Sequence, residues 1–165
     1  MFTSFSYTLG NGQEIEMLSA VNQAATDPIN LNGNSFINTI KGNAGDNIID
    51  GRGGNDTLTG FGGHDSFDFT TALDPVNNVA SITDFTVGSD LIGLSHVVFA
   101  TLSGQLQSAQ FHIGPAADSP DERIIYNADT GALTYDSNGN AEGSATQFAK
   151  LAPHLALSNT DFFIT

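Results

Sequence analysis

Cysteine is absent from the 165 residues, which excludes a disulfide framework, a thiolate metal site and a cysteine nucleophile. Basic residues are almost absent as well. Lys41, Arg52, Arg123 and Lys150 stand against 18 acidic residues, for a formal net charge of -14. Nucleic-acid phosphates and anionic lipid both require basic patches, so neither is an expected partner. No apolar run reaches membrane-spanning length, which argues against membrane insertion, and residues 1–10 lack the charged start and apolar stretch of a signal peptide. The chain begins abruptly in strand-like sequence (Phe2, Phe5, Tyr7, Leu9), and Met1 is expected to mark a boundary within a longer protein. Catalytic signatures are missing too. His64, His96, His112 and His154 are scattered without metal-ligand spacing, and there is no H-E-x-x-H, G-x-S-x-G or phosphate loop. The chain is therefore expected not to be an enzyme itself, whatever a parent protein does.

An apolar fraction of 39% suffices for a modest core in one domain, or a core with a capping subdomain. The acidic excess opposes compaction unless something neutralises it. Without disulfides, a small domain destined for the outside needs another staple, and a metal ion serves both needs.

Self-similarity at a period of nine organises the middle of the chain. Gly42–Asp50 (GNAGDNIID), Gly51–Thr59 (GRGGNDTLT) and Gly60–Asp68 (GFGGHDSFD) are consecutive units 2 to 4, and a degenerate unit 1, Gly33–Lys41 (GNSFINTIK), precedes them. Position 1 is Gly throughout, position 6 is Asn38, Asn47, Asp56 and Asp65, and position 8 is Ile40, Ile49, Leu58 and Phe67. Glycine at positions 1 and 4 permits the positive φ of a tight turn and lets carbonyl oxygens converge. Position 6 offers a hard oxygen. Position 8 is an apolar strand residue that stacks into a thin core while backbones pair in parallel. Each unit makes half a coil, so a turn lies against the turn eighteen residues along. An ion between them would meet the six to eight oxygens that calcium takes, whereas magnesium's stricter octahedron fits less well.

These units resemble the repeats-in-toxin (hemolysin-type calcium-binding) family, whose repeat is G-G-x-G-x-D-x-U-x with U a large apolar residue. The resemblance implies an all-β fold: a parallel β-roll, or right-handed β-helix solenoid, with an irregular β ladder before it and an antiparallel β cap after it. It also implies Ca2+ held by positions 2, 4 and 6 of one loop and 1, 3 and 6 of the next on the same side. Matching residues are Asn43, Gly45 and Asn47 with Gly60, Gly62 and Asp65, and Asn34, Phe36 and Asn38 with Gly51, Gly53 and Asp56, where Phe36 replaces a turn glycine. Further sites would use Gly54 with Asp56, or Gly63 with Asp65. Asp74, Asp84 or Asp90 would close the shell or stand as ordinary surface carboxylates. Each matched pair has one Asn and one Asp where the family's strongest sites have two Asp, so affinities of about 10⁻⁴ to 10⁻³ M are expected.

The flanks are similar to the same family. Upstream, a Y-x-L-G stretch (Tyr7–Gly10) and an I-E-x-L stretch (Ile15–Leu18) precede N-G-N, and we read strands there in preference to an amphipathic helix over 14–25. Downstream, residues 82–95 (ITDFTVGSDLIGLS) resemble the segment that follows the roll, departing from it at Leu91 and Gly93. Residues 123–136 read as two strands around an Asn-Ala-Asp-Thr-Gly turn, a hairpin that helps cap the open roll end. The last residues, Asp161 to Thr165 (DFFIT), resemble the C-terminal type I secretion signals of serralysin-like proteins and also suit an edge strand.

The expected organisation is an N-terminal ladder over 1–32, the repeats over 33–76, and a cap over 77–165 with the secretion signal at 157–165, all one cooperative unit. The expected function is a secreted or cell-surface module that folds on calcium after export and stabilises a larger protein. Its partners would be a type I ABC exporter, acting on the tail, and the upstream domains of the parent. Two alternatives stand beside this: an adhesive module gripping a neutral glycan or surface through exposed aromatics such as Phe61, and a calcium-dependent self-processing module cutting at Asp27-Pro28 or Asp74-Pro75.

Overall fold

The structure, a computed structural model, describes residues 1–165 and is built almost wholly of short strands. The four repeats supply β5 (Thr39–Lys41), β6 (Ile48–Asp50), β7 (Thr57–Thr59) and β8 (Ser66–Phe69). In each, the apolar residue at position 8 is buried while its neighbours are exposed or half-buried, save Asp50, the two-residue alternation of a strand with one buried face. Ile40, Ile49, Leu58 and Phe67 are fully or almost fully buried.

Alternate units form opposite sheets. Ile40 lies beside Leu58, and Ile49 beside Phe67, all in parallel register. The coil does not stop at the repeats. Upstream, β1 (Phe2–Thr3) and β3 (Met17–Ala20) continue one sheet, while β2 (Tyr7–Thr8) and β4 (Asn30–Asn32) continue the other. Met17–Ala20 is a strand because its backbone pairs with β5, burying Leu18 against Ile40; that tertiary pairing overrides any helical periodicity there. Downstream, β9 (Ala80–Ile82) follows β7 and β10 (Leu91–Leu94) follows β8, aligning Ile82 with Leu58 and Ile92 with Phe67.

The roll end is then covered. β12 (Ile124–Asn127) and β13 (Ala132–Asp136) form the expected hairpin, β14 (Ala145–Lys150) pairs antiparallel with β13, and β11 (Phe111–Ile113) runs parallel to β12. This cap is no separate layer, because β14 also pairs with β9 and extends the first sheet to nine strands. The second sheet, of six strands, ends in β15 (Phe162–Ile164), which lies parallel to β10.

One apolar core runs from the roll into the cap. Phe148, fully buried, sits edge-on to Phe69 at 4.9 Å and to Phe99 at 5.1 Å, and Phe99 meets Tyr135 at 5.0 Å. Phe148→Ala is expected to cost about 3–5 kcal/mol. Denaturant unfolding of the full chain measures that loss, and a change under 1 kcal/mol would show that the cap does not seal the core.

Candidate metal centre

The loops between strands stack along the two edges of the roll. One edge carries the loops of units 1 and 3, the other those of units 2 and 4. At each, position 6 reaches toward the neighbouring turn: the Asn38 N–H donates to Asp56 Oδ1 at 2.7 Å, and the Asn47 N–H to Asp65 Oδ1 at 2.9 Å. Asn38, Asn47, Asp56 and Asp65 are all buried. Both matched pairs are thus brought together across adjacent turns.

The position-1 glycines have a different reason from the one expected. Gly33, Gly42, Gly51 and Gly60 are not in the left-handed region. They are required because the position-6 side chain folds back over them. A Cβ would come within 2.6 Å of Asn38 Oδ1 at Gly33, and within 2.1 Å of Asn47 Oδ1 and Asp65 Oδ2 at Gly42 and Gly60. Close approach, not backbone freedom, excludes side chains there.

Positions 2 and 4 divide the four loops into two kinds. In units 3 and 4 both are left-handed: Arg52 has φ 66° and Gly54 105°, Phe61 has φ 80° and Gly63 104°. Left-handed Arg and Phe carry a steric cost that position-2 glycine would avoid. In units 1 and 2, none of Asn34, Phe36, Asn43 and Gly45 has positive φ. There the position-2 amide closes a local turn instead, Asn34 Oδ1 accepting from the Phe36 N–H at 3.0 Å and Asn43 Oδ1 from the Gly45 N–H at 2.9 Å. Phe36 is tolerated because its loop never needs the left-handed turn.

Asp84 and Asp90 lie beneath the loop of unit 4. Asp84 accepts from the Gly60 N–H at 3.1 Å through one carboxylate oxygen and from the Phe61 N–H at 2.8 Å through the other. Asp90 Oδ1 accepts from the Asp65 N–H at 3.0 Å, and its Oδ2 from the Thr86 N–H at 2.8 Å. Asp74 is exposed and caps its own turn through the N–H groups of Val76 and Asn77. Its hydrogen bond from the Asn77 side chain, with those two amides, holds its carboxyl below the usual range.

Burial dominates the electrostatics. The Asp65 carboxyl is pushed up to about 7 by loss of water, and Asp90, Asp84 and Asp46 add to the rise against the opposing Asn47 N–H. Asp56 is likewise pushed up to about 7 by burial, with Asp50 adding to it and the Asn38 N–H opposing. Burial raises Asp90 also. The chain's one ion pair, His112 with Glu122, lies elsewhere, so no lysine or arginine compensates these carboxylates.

Two contributors to the centre, and one separate cluster in the cap, are invisible at a spacing of nine. Asp46 accepts from the His64 N–H at 2.8 Å and adds negative charge beside Asp65. Asp161, buried before β15, accepts from the Gly88 N–H at 3.0 Å and so ties the tail to the segment bearing Asp84 and Asp90. In the cap, His112 Nδ1 lies 3.0 Å from Glu122 Oε1, with Asp118 close by, although the histidines read as scattered in sequence. The other Glu122 oxygen caps the turn through the Asp118 and Ser119 amides.

Paired loops of glycines and acids between the turns of a parallel β-roll define a calcium-binding repeat protein, and the donors suit that ion. They are hard oxygens, partly ionisable and uncompensated, and each position-6 oxygen sits in a hollow that a single Cβ would fill. Residues 32–67 match the RTX calcium-binding nonapeptide repeat in four copies. That segment is an RTX repeat array, and RTX nonapeptide repeats bind Ca2+. The family is a calcium-binding structural one rather than an enzymatic one; its proteins are typically secreted, and it is associated with type I secretion. No curated protein matches the chain. No helix is long and apolar enough to cross a membrane.

Proposed function

We propose that the chain is the calcium-dependent folding module of a larger protein exported by a type I ABC exporter. The observation that carries this reading is the meeting of Asp46, Asp65, Asp84 and Asp90 around one loop stack with no lysine or arginine partner, His64 being the one basic side chain that acts on them. Calcium would supply the missing positive charge and cross-link the turns. On the unit 4 edge, the backbone oxygens of Gly60, Gly62 and Gly63 and the carboxylates of Asp65, Asp84 and Asp90 would hold it. On the opposite edge the corresponding donors are Gly51, Gly53, Gly54 and Asp56. In a cytosol poor in calcium the acidic chain repels itself and stays open enough to thread a channel. Outside, the ion closes the roll, and the ladder, repeats and cap fold as one cooperative unit that stabilises the upstream domains.

Titration calorimetry on the full chain tests the core of this. Calcium is expected to bind at about 10⁻⁴ to 10⁻³ M and magnesium at least ten-fold more weakly, with Asp65→Asn weakening calcium more than ten-fold. Calcium and magnesium binding alike would refute it. Export is tested by deleting residues 161–165. Because β15 is paired into the sheet, this deletion lowers stability in any case, but only a signal function predicts loss of secretion.

A further inference from the structure

The two kinds of loop differ in what fills the space between turns. In units 1 and 2 the asparagine side chains present N–H groups to carbonyl oxygens of the preceding coil. Asn34 Nδ2 donates to the Gly10 and Gln13 carbonyls at 3.2 and 2.8 Å, Asn38 Nδ2 to the Ile15 carbonyl at 2.8 Å, and Asn43 Nδ2 to the Asp27 carbonyl at 2.9 Å. Asn47 Nδ2 donates to Asn43 Oδ1 at 2.9 Å. Converging carbonyls are what a cation between turns would satisfy, and here neutral amides satisfy them.

The amide oxygens are also committed. Asn38 Oδ1 accepts from the Asn34 N–H at 3.0 Å and Asn47 Oδ1 from the Asn43 N–H at 2.8 Å, while the position-2 oxygens close their own turns. These partners fix each amide's orientation, since a flipped group would set N–H against N–H and oxygen against oxygen. No buried side-chain nitrogen or oxygen is left without a partner.

We infer that Asn34, Asn38, Asn43 and Asn47 do the work of calcium in the first two loops, confining the ions to the aspartate-bearing loops of units 3 and 4, at most two in all. This rests on the calcium reading above and narrows it: the loops of units 1 and 2 lock the upstream coils without an ion. The asparagine oxygens there all accept hydrogen bonds within their own loops, and the backbones at positions 2 and 4 lack the left-handed turns of the other two loops. An aspartate in place of Asn38 would turn a carboxylate oxygen toward the Ile15 carbonyl and lose a partly buried hydrogen bond.

Native mass spectrometry and thermal melting of the full chain decide between the alternatives. The wild-type protein is expected to take up no more than two calcium ions. Asn38→Asp is expected to melt several degrees lower both in calcium and in chelator, with calcium affinity within two-fold of wild type. Asn43→Asp, on the other edge, gives the same reading if the first variant fails to fold. Three or more bound ions, or an aspartate variant that melts higher in calcium than the wild type or binds it more tightly, would overturn the inference. If the wild type binds no calcium, the parent reading fails instead. The amide role then stands on the chelator melts alone, where a variant as stable as the wild type would overturn it.

Discussion

Calcium at 100 times its dissociation constant is expected to raise the unfolding temperature of the full chain by about 10–20 °C over chelated protein. An ion bound only by the native state contributes about 2.7 kcal/mol when present at 100 times its dissociation constant. Two such ions contribute about 5 kcal/mol, and a domain of this size gains roughly 2–4 °C per kcal/mol. That is a large share of the 5–15 kcal/mol by which domains are ordinarily stable. The gain concentrates where Asp65, Asp84 and Asp90 face one another, so Asp65→Asn should remove much of it and Asp74→Asn, on an exposed turn, almost none. Scanning calorimetry in calcium, magnesium and chelator measures all of these. Coincident melts in calcium and chelator would remove the ion from any account of folding.

Acidity should act in opposite directions on the two forms. Without calcium, the folded protein keeps protons on Asp56 and Asp65 up to about 7, whereas the ordinary value is 3.8. Between those limits the folded state holds more protons than the unfolded one, so each step upward in pH works against folding. Calcium-free protein should therefore melt highest near pH 4, lose stability as pH rises to about 7, and change little from these groups above that. Calcium must displace the same protons, so its affinity should climb over the same interval and level off above about 7. The gap between the calcium and chelator melts then widens from little at pH 4 to its full value above pH 7. Asp56→Asn with Asp65→Asn should flatten both profiles. A calcium-free melt that rises from pH 4 to 7 would show that these carboxylates are not desolvated in solution.

Much of this architecture is legible in the chain. Position 8 sets the register because an apolar side chain every nine residues can be buried only if successive units alternate between two sheets, and Ile40 beside Leu58 and Ile49 beside Phe67 follow from it. The hairpin of β12 and β13 is readable because strand formers flank turn residues. The pairing of β14 with β9 is not, since it joins Ala149 to Ala80 across a long stretch with no local signal. At the metal centre, glycine at position 1 is obvious in sequence but its cause is not: a close oxygen and a left-handed turn both demand the same residue. Asparagine at position 6 is ambiguous for a related reason. Its amide can ligate through oxygen or replace an ion through nitrogen, and only the carbonyls opposite decide which. Asp46 and Asp161 escape because neither falls on a repeat column, and each acts on a segment far along the chain.

The roll keeps its strands aligned while the path between them varies. Ile40 meets Leu58 eighteen residues on, yet Leu58 meets Ile82 after twenty-four and Phe67 meets Ile92 after twenty-five. Height is thus counted in rungs, and surplus residues spill sideways into the bends. Such a stack grows by duplication at little cost: one more pair of nonapeptides would lengthen each wall by a single rung of about 4.8 Å, leaving the cap unaltered.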